Sequence, residues 1–477
     1  MHSLCILDLS RTEIKSLPSS LSNLVNLRGL YLKGCSNLEE LPSQVGALKQ
    51  LEVFDLTGYT AIKYLPREVG ELTRLKRLIV GFQRHSSFKT TEEWNMKLRV
   101  PTGIIPKLQL LEELSLYVKY GSICVDKEQW DDESMEVVVE ELCRLEHLTY
   151  LDAYFQNVEC LEHFLHHRKS VLFRRFQFRV GTEISWLFPA PTQERCLVCQ
   201  GGFGTSHAAI METLAHCSYF DLGYHRTIRK LSELGLANMK ELKECRIEDC
   251  DKMDTLFDGD QQQETCALLP NLKKLEIISL PELRSLCDGP LLPGSLSKLK
   301  LLKLFCCDNL KKVFQLGIIR QLCCLEFLRV QDCSNMKEII EIEEEMSMSV
   351  ASHTLNVISY NIKEIALSFL PELVSICRGF SNFEWPSLET IYISQCPKLK
   401  SLSFLSNGTN IVAPALKKIK GSISWWEALE WEDNDIKQRL QPFFPLVDQD
   451  GNKHTDRTDS AFVFLVLLKL IKEVGYP

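Results

Sequence analysis

The 477-residue chain lacks three features, each of which would assign it to a class of protein. It has no basic surplus: the formal net charge is −8, whereas proteins that bind nucleic-acid phosphates are usually rich in lysine and arginine. No leader of basic, then apolar, then small residues opens it, so we predict no secretory signal and expect a cytoplasmic protein. The most apolar stretch, 461–471, is about half as long as a membrane span and includes a lysine, which favours a packed terminal segment.

Motifs for nucleotide hydrolysis and for common hydrolases are absent as well. Gly201, Gly202 and Gly204 are not followed by the G-x-x-x-x-G-K-[ST] pattern of a phosphate loop, which occurs nowhere in the chain. Neither a G-x-S-x-G elbow nor an H-E-x-x-H helix occurs. We therefore expect no enzyme activity and no cofactor.

The chain does contain nineteen cysteines, and an odd count without a signal favours reduced thiols over a disulfide framework. The segment 195–217 is the place to look for a metal site, because Cys196 and Cys199 form a C-x-x-C pair. Its histidines, His207 and His216, stand nine residues apart, unlike the close second ligand pair of structural zinc sites. We therefore predict packing and loop residues here, and no metal ligands.

A repeat organises the rest of the sequence. Its pattern is L-x-x-L-x-L-x-x-C-x-x-L, in which other apolar residues can replace leucine, and this is the leucine-rich-repeat signature. Most of its fifteen copies are 23 to 30 residues apart, and four intervals are longer, at 36, 37, 44 and 37 residues. The copies begin at Leu4, Leu27, Leu51, Leu75, Leu111, Leu148, Phe173, Cys217, Leu242, Leu272, Leu299, Leu325, Ile362, Leu388 and Leu416.

The spacing within one copy predicts its structure. Apolar positions four and six alternate with polar or variable ones, as in a strand with one buried face. One such strand cannot bury that face alone, so the copies should stack. Pro18, Pro42 and Pro66 are predicted to end the extended segment and start the return path. The predicted fold class is an α/β solenoid: a leucine-rich-repeat horseshoe with a parallel β-sheet on the concave face and irregular helical or loop returns on the convex face.

The ninth position of the repeat turns inward after the strand, where a small side chain can satisfy open backbone groups. We predict that the cysteines in register with the repeat serve packing, because a thiol behaves as a small hydrophobe with a weak donor. They are Cys35, Cys250, Cys307, Cys333 and Cys396, together with Cys287 and Cys377 in "LPELRSLC" and "LPELVSIC".

The repeat spacing suggests four regions. Trp425, Trp426 and Trp431 follow the last copy and are expected to cover the apolar end of the array. The regions are 1–80, regular N-terminal repeats; 81–215, irregular repeats with insertions; 216–425, C-terminal repeats of the C-x-x-L form; and 426–477, a cap and tail.

The motifs "LPELRSLC", "NMKELKECRIEDCDKM" and "WWEALEWEDNDIKQRLQPFF" resemble the C-terminal region of plant nucleotide-binding leucine-rich-repeat (NB-LRR) immune receptors of the coiled-coil class. The resemblance covers residues 1–445. It implies an intracellular disease-resistance protein whose repeats sense a pathogen effector or an effector-modified host protein. It also implies that the repeats hold the receptor at rest by packing on its nucleotide-binding domain. That domain and the coiled coil are absent from this sequence, so we expect a truncated receptor or a fragment.

The resemblance places recognition on outward residues beside the strand leucines. Mixed charge with interleaved aromatics suits a protein partner, and a plain solvated face is the alternative reading. Basic residues in the first 80 positions slightly outnumber acidic ones, which would suit an acidic partner surface. The candidate protein-binding residues are Glu244, Arg246, Glu248, Lys274, Glu276, Lys303, Phe305, Phe327, Arg329, Gln331, Tyr392 and Ser394.

The expected partners are a pathogen effector or guarded host protein and the nucleotide-binding domain of a receptor, with no nucleic acid and no transmembrane span. The alternative function is a substrate adaptor for a ubiquitin ligase, which would need an F-box or similar helical segment ahead of the repeats. An extracellular receptor would need a signal peptide and a membrane span. An enzyme built on 195–217 would need zinc or a thiol of low pKa.

Overall fold

The computed structural model divides into two compact units, Met1–Trp186 with Thr192–Arg226, and Leu187–Pro191 with Thr227–Pro477. It describes residues 3–58, 62, 65–83, 101–119, 140–155, 157–167, 173–181, 194–201, 207–259, 267–319, 321–341, 358–359, 361–377, 383–407, 410–431 and 434–444.

In the described part of the first unit, nine strands run parallel and each pairs with the next along the chain. They are β1 (Ile6–Asp8), β2 (Gly29–Tyr31), β3 (Val53–Gly58), β4 (Arg77–Gln83), β5 (Glu113–Lys119), β6 (Tyr150–Phe155), β7 (Arg175–Gly181), β8 (Arg195–Gln200) and β9 (Tyr219–Gly223). The return path holds α1 (Val158–His167), α2 (Ala208–Leu214) and short 3-10 helices at Ser19–Asn23, Ser43–Ala47, Arg67–Glu71 and Ile105–Lys107.

In the described part of the second unit, the main strands also pair in parallel, in the order β10, β12, β14, β16, β19, β22 and β25 below. The strands are β10 (Glu244–Glu248), β11 (Thr255–Asp258), β12 (Lys274–Ile278), β13 (Ser285–Asp288), β14 (Leu301–Phe305), β15 (Lys312–Gln315), β16 (Phe327–Gln331), β17 (Glu338–Glu341), β18 (Ile358–Ser359), β19 (Glu364–Ser368), β20 (Ser375–Cys377), β21 (Phe383–Glu384), β22 (Thr390–Ser394), β23 (Ser406–Asn407), β24 (Asn410–Ile411) and β25 (Lys418–Lys420). The helices are α3 (Leu316–Ile319), α4 (Ile423–Glu427), α5 (Asn434–Leu440) and 3-10 helices at Leu231–Leu234, Leu236–Asn238, Ser403–Leu405 and Gln441–Phe443.

The return path of the second unit contains short strands that the sequence reading did not anticipate. β11 pairs with β13, and β15, β17 and β20 form a second parallel ladder. Each of these strands follows an inward turn and buries apolar residues of its own, such as Val313 and Phe314 in β15. Repeats that stack in register therefore pair their backbones twice, once at the main strand and once on the return.

Alternate residues of the main strands form the core, as the period-two pattern predicts. In β14, Leu302 and Leu304 are buried, and they lie opposite Leu328 and Val330 of β16. Because every repeat places leucines at equivalent heights, each strand covers the apolar face of its neighbour. The solenoid fold is thereby confirmed.

One repeat was missed in the sequence. The 44-residue interval between the copies at Phe173 and Cys217 contains β8, which pairs with β7 and β9. Its inward residues are Leu197 and Cys199, which lie opposite Phe220 and Leu222. The six letters "RCLVCQ" hold only one leucine, so the strand carried too weak a signal to be counted.

A left-handed residue follows each main strand of the second unit up to β22. This conformation is sterically unfavourable for residues other than glycine. Because it recurs after each strand, the stacking of the repeats stabilises the turn. The φ angles lie between 49° and 56° at Asp249, Ser279, Cys306, Asp332, Phe369 and Gln395. The turn directs the next residue into the core, namely Cys250, Leu280, Cys307, Cys333, Leu370 and Cys396.

The buried thiols at this position donate to backbone carbonyls, as the sequence reading predicted. Cys250 Sγ donates to the Glu248 carbonyl over 3.4 Å, and Cys396 Sγ donates to Ser394 over 3.3 Å. In the first unit, Cys35 Sγ reaches the carbonyl of Leu9 in the preceding repeat at 3.1 Å. The packing role of these cysteines is confirmed.

The proline prediction is also confirmed. Pro18, Pro42 and Pro66 each precede a five-residue 3-10 helix, with φ of −71°, −71° and −67°. Proline suits this place because its fixed φ starts the turn and no helical donor is lost.

The C-terminal tryptophans pack at the end of the stack beyond β25. Trp426 is buried and stacks on Phe444 with ring centroids 4.5 Å apart. Trp431 lies 5.3 Å from Trp426, centroid to centroid, and Trp425 Nε1 donates to the Leu399 carbonyl over 3.0 Å. The predicted cover therefore exists over the described residues 423–431 and 434–444, whereas the apolar run 461–471 lies outside the described residues.

Replacing Leu302, which is 1% exposed, with alanine should lower the free energy of unfolding by about 2–5 kcal/mol, because a cavity would open between repeats. The control is Leu292→Ala, at a leucine 43% exposed, where a change within about 0.5 kcal/mol is expected. Urea unfolding followed by circular dichroism measures both. Equal midpoints for the two variants would contradict the stacked core.

Candidate functional site

The outward residues of the main strands in the second unit form three rows, and the register places all twelve candidate residues in them. We call these rows the outer strand face. The first row is Glu244, Lys274, Leu301, Phe327, Glu364, Thr390 and Lys418. The second is Arg246, Glu276, Lys303, Arg329, Ala366, Tyr392 and Lys420. The third is Glu248, Ile278, Phe305, Gln331, Ser368 and Ser394.

A network of ion pairs occupies the first strands of this face. Glu276 Oε1 lies 3.3 Å from Lys274 Nζ and 2.9 Å from Lys303 Nζ, and Lys274 also faces Glu244 at 3.9 Å. Burial by itself would raise the pKa of Glu276, but the two lysines outweigh it and hold this pKa below its usual range. Glu276 is therefore ionised at neutral pH, and its charge offsets part of the lysines' charge.

Three candidate residues that were expected to face solvent, Arg246, Glu248 and Glu276, are buried, so that expectation is wrong. The Arg246 and Glu248 side chains are only 3% and 1% exposed, and Arg246 Nη2 lies 2.6 Å from Glu248 Oε2. Alternation along a strand identifies the outward side, but it does not report what covers that side. This buried pair cannot touch a partner in the described conformation, so its contribution is structural.

Aromatic and polar side chains on β14 to β22 form an accessible part of the face. Tyr392 is 40% exposed, and Phe305, Phe327, Gln331 and Ser394 are half-buried. Arg329 is half-buried as well, and its Nη2 lies 3.1 Å from Glu364 Oε1. Aromatic side chains flanked by polar groups form the kind of surface in which tyrosine and arginine anchor protein partners.

A charged cluster in the first unit was missed by the sequence reading. Both carboxylate oxygens of Glu113 are engaged, one by Arg77 Nε and one by Arg175 Nη2, each at 2.6 Å. The Arg175 guanidinium also lies 5.0 Å from the ring centroid of Tyr150. The signal was present as charged residues at outward positions of "LKRLIV", "LEELSL" and "FRRFQF", but the pairing depends on register between distant repeats.

A second ion pair extends this cluster. Asp152 pairs with Arg179, and its other oxygen accepts a hydrogen bond from Ser115 Oγ over 2.9 Å. Asp152 on β6 is thus held from the neighbouring strands β5 and β7, and Glu113 on β5 is held from β4 and β7. The cluster places charged and polar side chains on the outward side of β4 to β7, and among them Ser115 and Asp152 are buried.

The described parts of the segment 195–217, residues 195–201 and 207–217, contribute cysteines to the core. Cys196, Cys199 and Cys217 are buried, and burial raises the pKa of the Cys199 and Cys217 thiols well above the usual value. A protonated thiol is a poor metal ligand and a poor nucleophile. Over the part of the chain that the structure describes, no three histidine, cysteine, aspartate or glutamate side chains converge as metal ligands would.

Among the described residues, no helix is both long and apolar enough to cross a bilayer.

Comparison with known families identifies the repeats. The model of the leucine-rich repeat region matches residues 1–277, which is more than half of the chain. The chain belongs to the leucine-rich-repeat family. A second model, for the leucine-rich repeats of RPS2-like plant disease resistance proteins, matches residues 285–413.

Relatives in Arabidopsis thaliana narrow the type of repeat region. The chain is 27% identical over 451 residues to disease resistance protein At4g27190, covering 92% of this chain and 42% of the relative. It is 30% identical over 414 residues to probable disease resistance protein At4g27220, covering 85% of this chain and 42% of the relative. This leucine-rich-repeat chain is therefore of the plant disease-resistance type, and it spans less than half the length of either relative.

A solved structure, the leucine-rich-repeat protein LIC12759 of Leptospira interrogans, aligns with a TM-score of 0.42 and 20% identity. The alignment covers 73% of this chain and 82% of the other.

Replacing Arg246 with glutamine should destabilise the chain by about 3–5 kcal/mol, because the buried Glu248 carboxylate would lose the opposite charge of the Arg246 guanidinium. The matched change Arg329→Gln breaks a pair whose side chains are about a third exposed, and it should cost about 0–1 kcal/mol. Urea midpoints of both variants test this difference. An Arg246→Gln variant as stable as Arg329→Gln would show that Arg246 reaches solvent.

Thiol labelling checks the buried cysteines. Burial raises the pKa of Cys377 to about 12 and that of Cys396 to about 11. Since the thiolate is the reactive form, iodoacetamide should label them very slowly near pH 8 and faster only as pH approaches these values. Exposed Cys5 and Cys323 are internal controls and should label readily. Mass spectrometry that finds Cys396 labelled as fast as Cys5 would contradict its buried position.

Proposed function

We propose that this leucine-rich-repeat chain is the non-catalytic protein-recognition region of an intracellular plant immune receptor. In this proposal it acts in the cytoplasm and senses a pathogen effector or an effector-modified host protein. The similarity to disease resistance proteins over 92% and 85% of the chain supports the cellular role.

One structural observation carries the recognition role. The accessible part of the outer strand face presents Phe305 and Phe327 on the adjacent strands β14 and β16, and Tyr392 on β22, two strands beyond β16, together with the polar side chains of Gln331 and Ser394. Burying such aromatics against a partner supplies most of an interface's binding energy, while the polar groups select orientation. The stacked strands hold these groups in fixed positions, so little ordering cost accompanies binding.

A second partner in the proposal is the nucleotide-binding domain of a receptor, on which the repeats would pack in the resting state. The family resemblance supports this contact. Ionic residues of the outer strand face and of the Arg77–Glu113–Arg175 cluster offer groups that could exchange partners when an effector binds. Competition between the two partners would link recognition to release.

Recognition is tested with partners recovered from a two-hybrid screen of an effector library against the whole chain. Tyr392→Ala and Phe327→Ala should each weaken a recovered partner by about tenfold or more, as expected for aromatic anchors. The control is Val374→Ala, at an exposed residue that precedes β20 on the return path. If Val374→Ala abolishes binding while Tyr392→Ala and Phe327→Ala leave it intact, the recognition surface lies elsewhere.

A further inference from the structure

The residue just before each main strand alternates in charge along much of the chain. Hydrogen bonds between successive backbones align these residues, so that each stands beside its equivalent in the next repeat. The series is Arg28, Glu52, Lys76 and Glu112 in the first unit, and Lys300, Glu326, Lys363, Glu389 and Lys417 in the second.

The alternation produces ion pairs between repeats. Glu52 lies 3.9 Å from Arg28 and 3.5 Å from Lys76, measured between charged atoms. Glu326 lies 2.8 Å from both Lys300 and Lys363. Opposite charges on adjacent strands stabilise a sheet modestly, and like charges there destabilise it, so the alternation has a physical reason.

The series fails at three consecutive strands, where Lys243, Lys273 and Lys300 stand side by side. The Lys273 amide donates to the Lys243 carbonyl over 2.7 Å, and the Lys300 amide donates to Lys273 over 2.8 Å. Adjacent strands are about 4.8 Å apart, so three positively charged side chains extend from backbones that lie side by side. Lys300 is held by Glu326, whereas among the described residues neither Lys243 nor Lys273 has an ion-pair partner.

Two further lysines enlarge this basic strip. Lys240 and Lys298 are exposed, and Asn271 lies between them. Asn271 Nδ2 donates to the Lys240 carbonyl over 2.8 Å, and Asn271 Oδ1 accepts from Lys298 Nζ over 2.7 Å. Asn271 thus ties together the turns of three repeats. We call Lys240, Lys243, Lys273, Lys298 and Lys300 the lysine edge; its segments 240–243, 270–273 and 297–300 include one acidic residue, Glu241.

We propose that the lysine edge binds an acidic segment of a partner protein. This rests on the proposed recognition function and adds the chemistry of the partner. Among the residues that the structure describes, no acidic side chain pairs with Lys243 or Lys273 to relieve this repulsion, and a string of carboxylates would do so. An acidic protein segment suits the site better than a nucleic acid, because the chain carries a net charge of −8 and would repel a long polyanion.

The first test measures fluorescence anisotropy of a labelled glutamate–serine peptide mixed with the full chain. A peptide with glutamine in place of glutamate and a short DNA duplex are parallel probes. At about 50 mM salt the glutamate peptide should bind at least about tenfold more tightly than either probe, and about 200 mM salt should weaken it strongly. Tighter binding of the duplex, or equal binding of the two peptides, overturns the proposal.

Charge reversal locates the site. Lys243→Glu with Lys273→Glu should weaken the glutamate peptide by about tenfold or more. The matched control is Lys311→Glu with Lys337→Glu, which reverses two exposed lysines that are also joined by a backbone hydrogen bond, but on the return path. Equal losses in the two double variants would mean a general response to paired lysines and would overturn the proposal.

A single substitution tests the repulsion itself. Lys273→Glu restores the alternating series between Lys243 and Lys300, so the urea midpoint should rise at low salt and the gain should vanish at about 1 M salt. A midpoint that stays unchanged or falls overturns the premise of unrelieved like charge. A separate measurement tests the proposed function, namely the binding of a recovered effector to the Tyr392→Ala variant. Loss of that binding supports the recognition role even if the lysine edge binds nothing.

Discussion

The structure depends on the inability of one repeat to bury its own leucines. A strand of three to seven residues exposes an apolar face that only another strand at the same height can cover. The pairing of Leu302 with Leu328 and of Leu304 with Val330 shows how this need is met. The left-handed residue after each main strand from β10 to β22 gives successive repeats the same turn, so the cysteine or leucine that follows it points into the core at the equivalent place in each repeat.

Stacking at a fixed spacing also organises the surface. Equivalent residues of successive repeats become neighbours, and a charge at one repeat position therefore meets the charge at the same position one repeat later. At Glu276 and Glu326 this contact joins opposite charges, and at Lys243 and Lys273 it joins like charges. The sign pattern along one repeat position thus decides whether neighbouring repeats attract or repel each other at that position.

The two sides of each strand are under different constraints, and this difference suits the scaffold to the proposed recognition role. Inward residues are constrained by packing, since even the buried thiols are held by backbone carbonyls, and changes there would cost stability. Exposed outward residues such as Tyr392 can vary with little cost to the core, whereas the outward but buried Arg246 and Glu248 cannot. The chain is similar to disease resistance proteins over most of its length.

Local patterns were enough to predict the solenoid, the helical turns after Pro18, Pro42 and Pro66, and the packing cysteines, because each depends on residues close together in the chain. The repeat pattern did not predict the strand at 195–200, because the inward residues of this strand include only one leucine. The ion pairs of Glu113 and Glu276 and the burial of Arg246 and Glu248 required the folded structure. Side chains more than twenty residues apart meet only when repeats stack in register, and what covers an outward side chain is set by three-dimensional packing, which alternation along one strand does not encode.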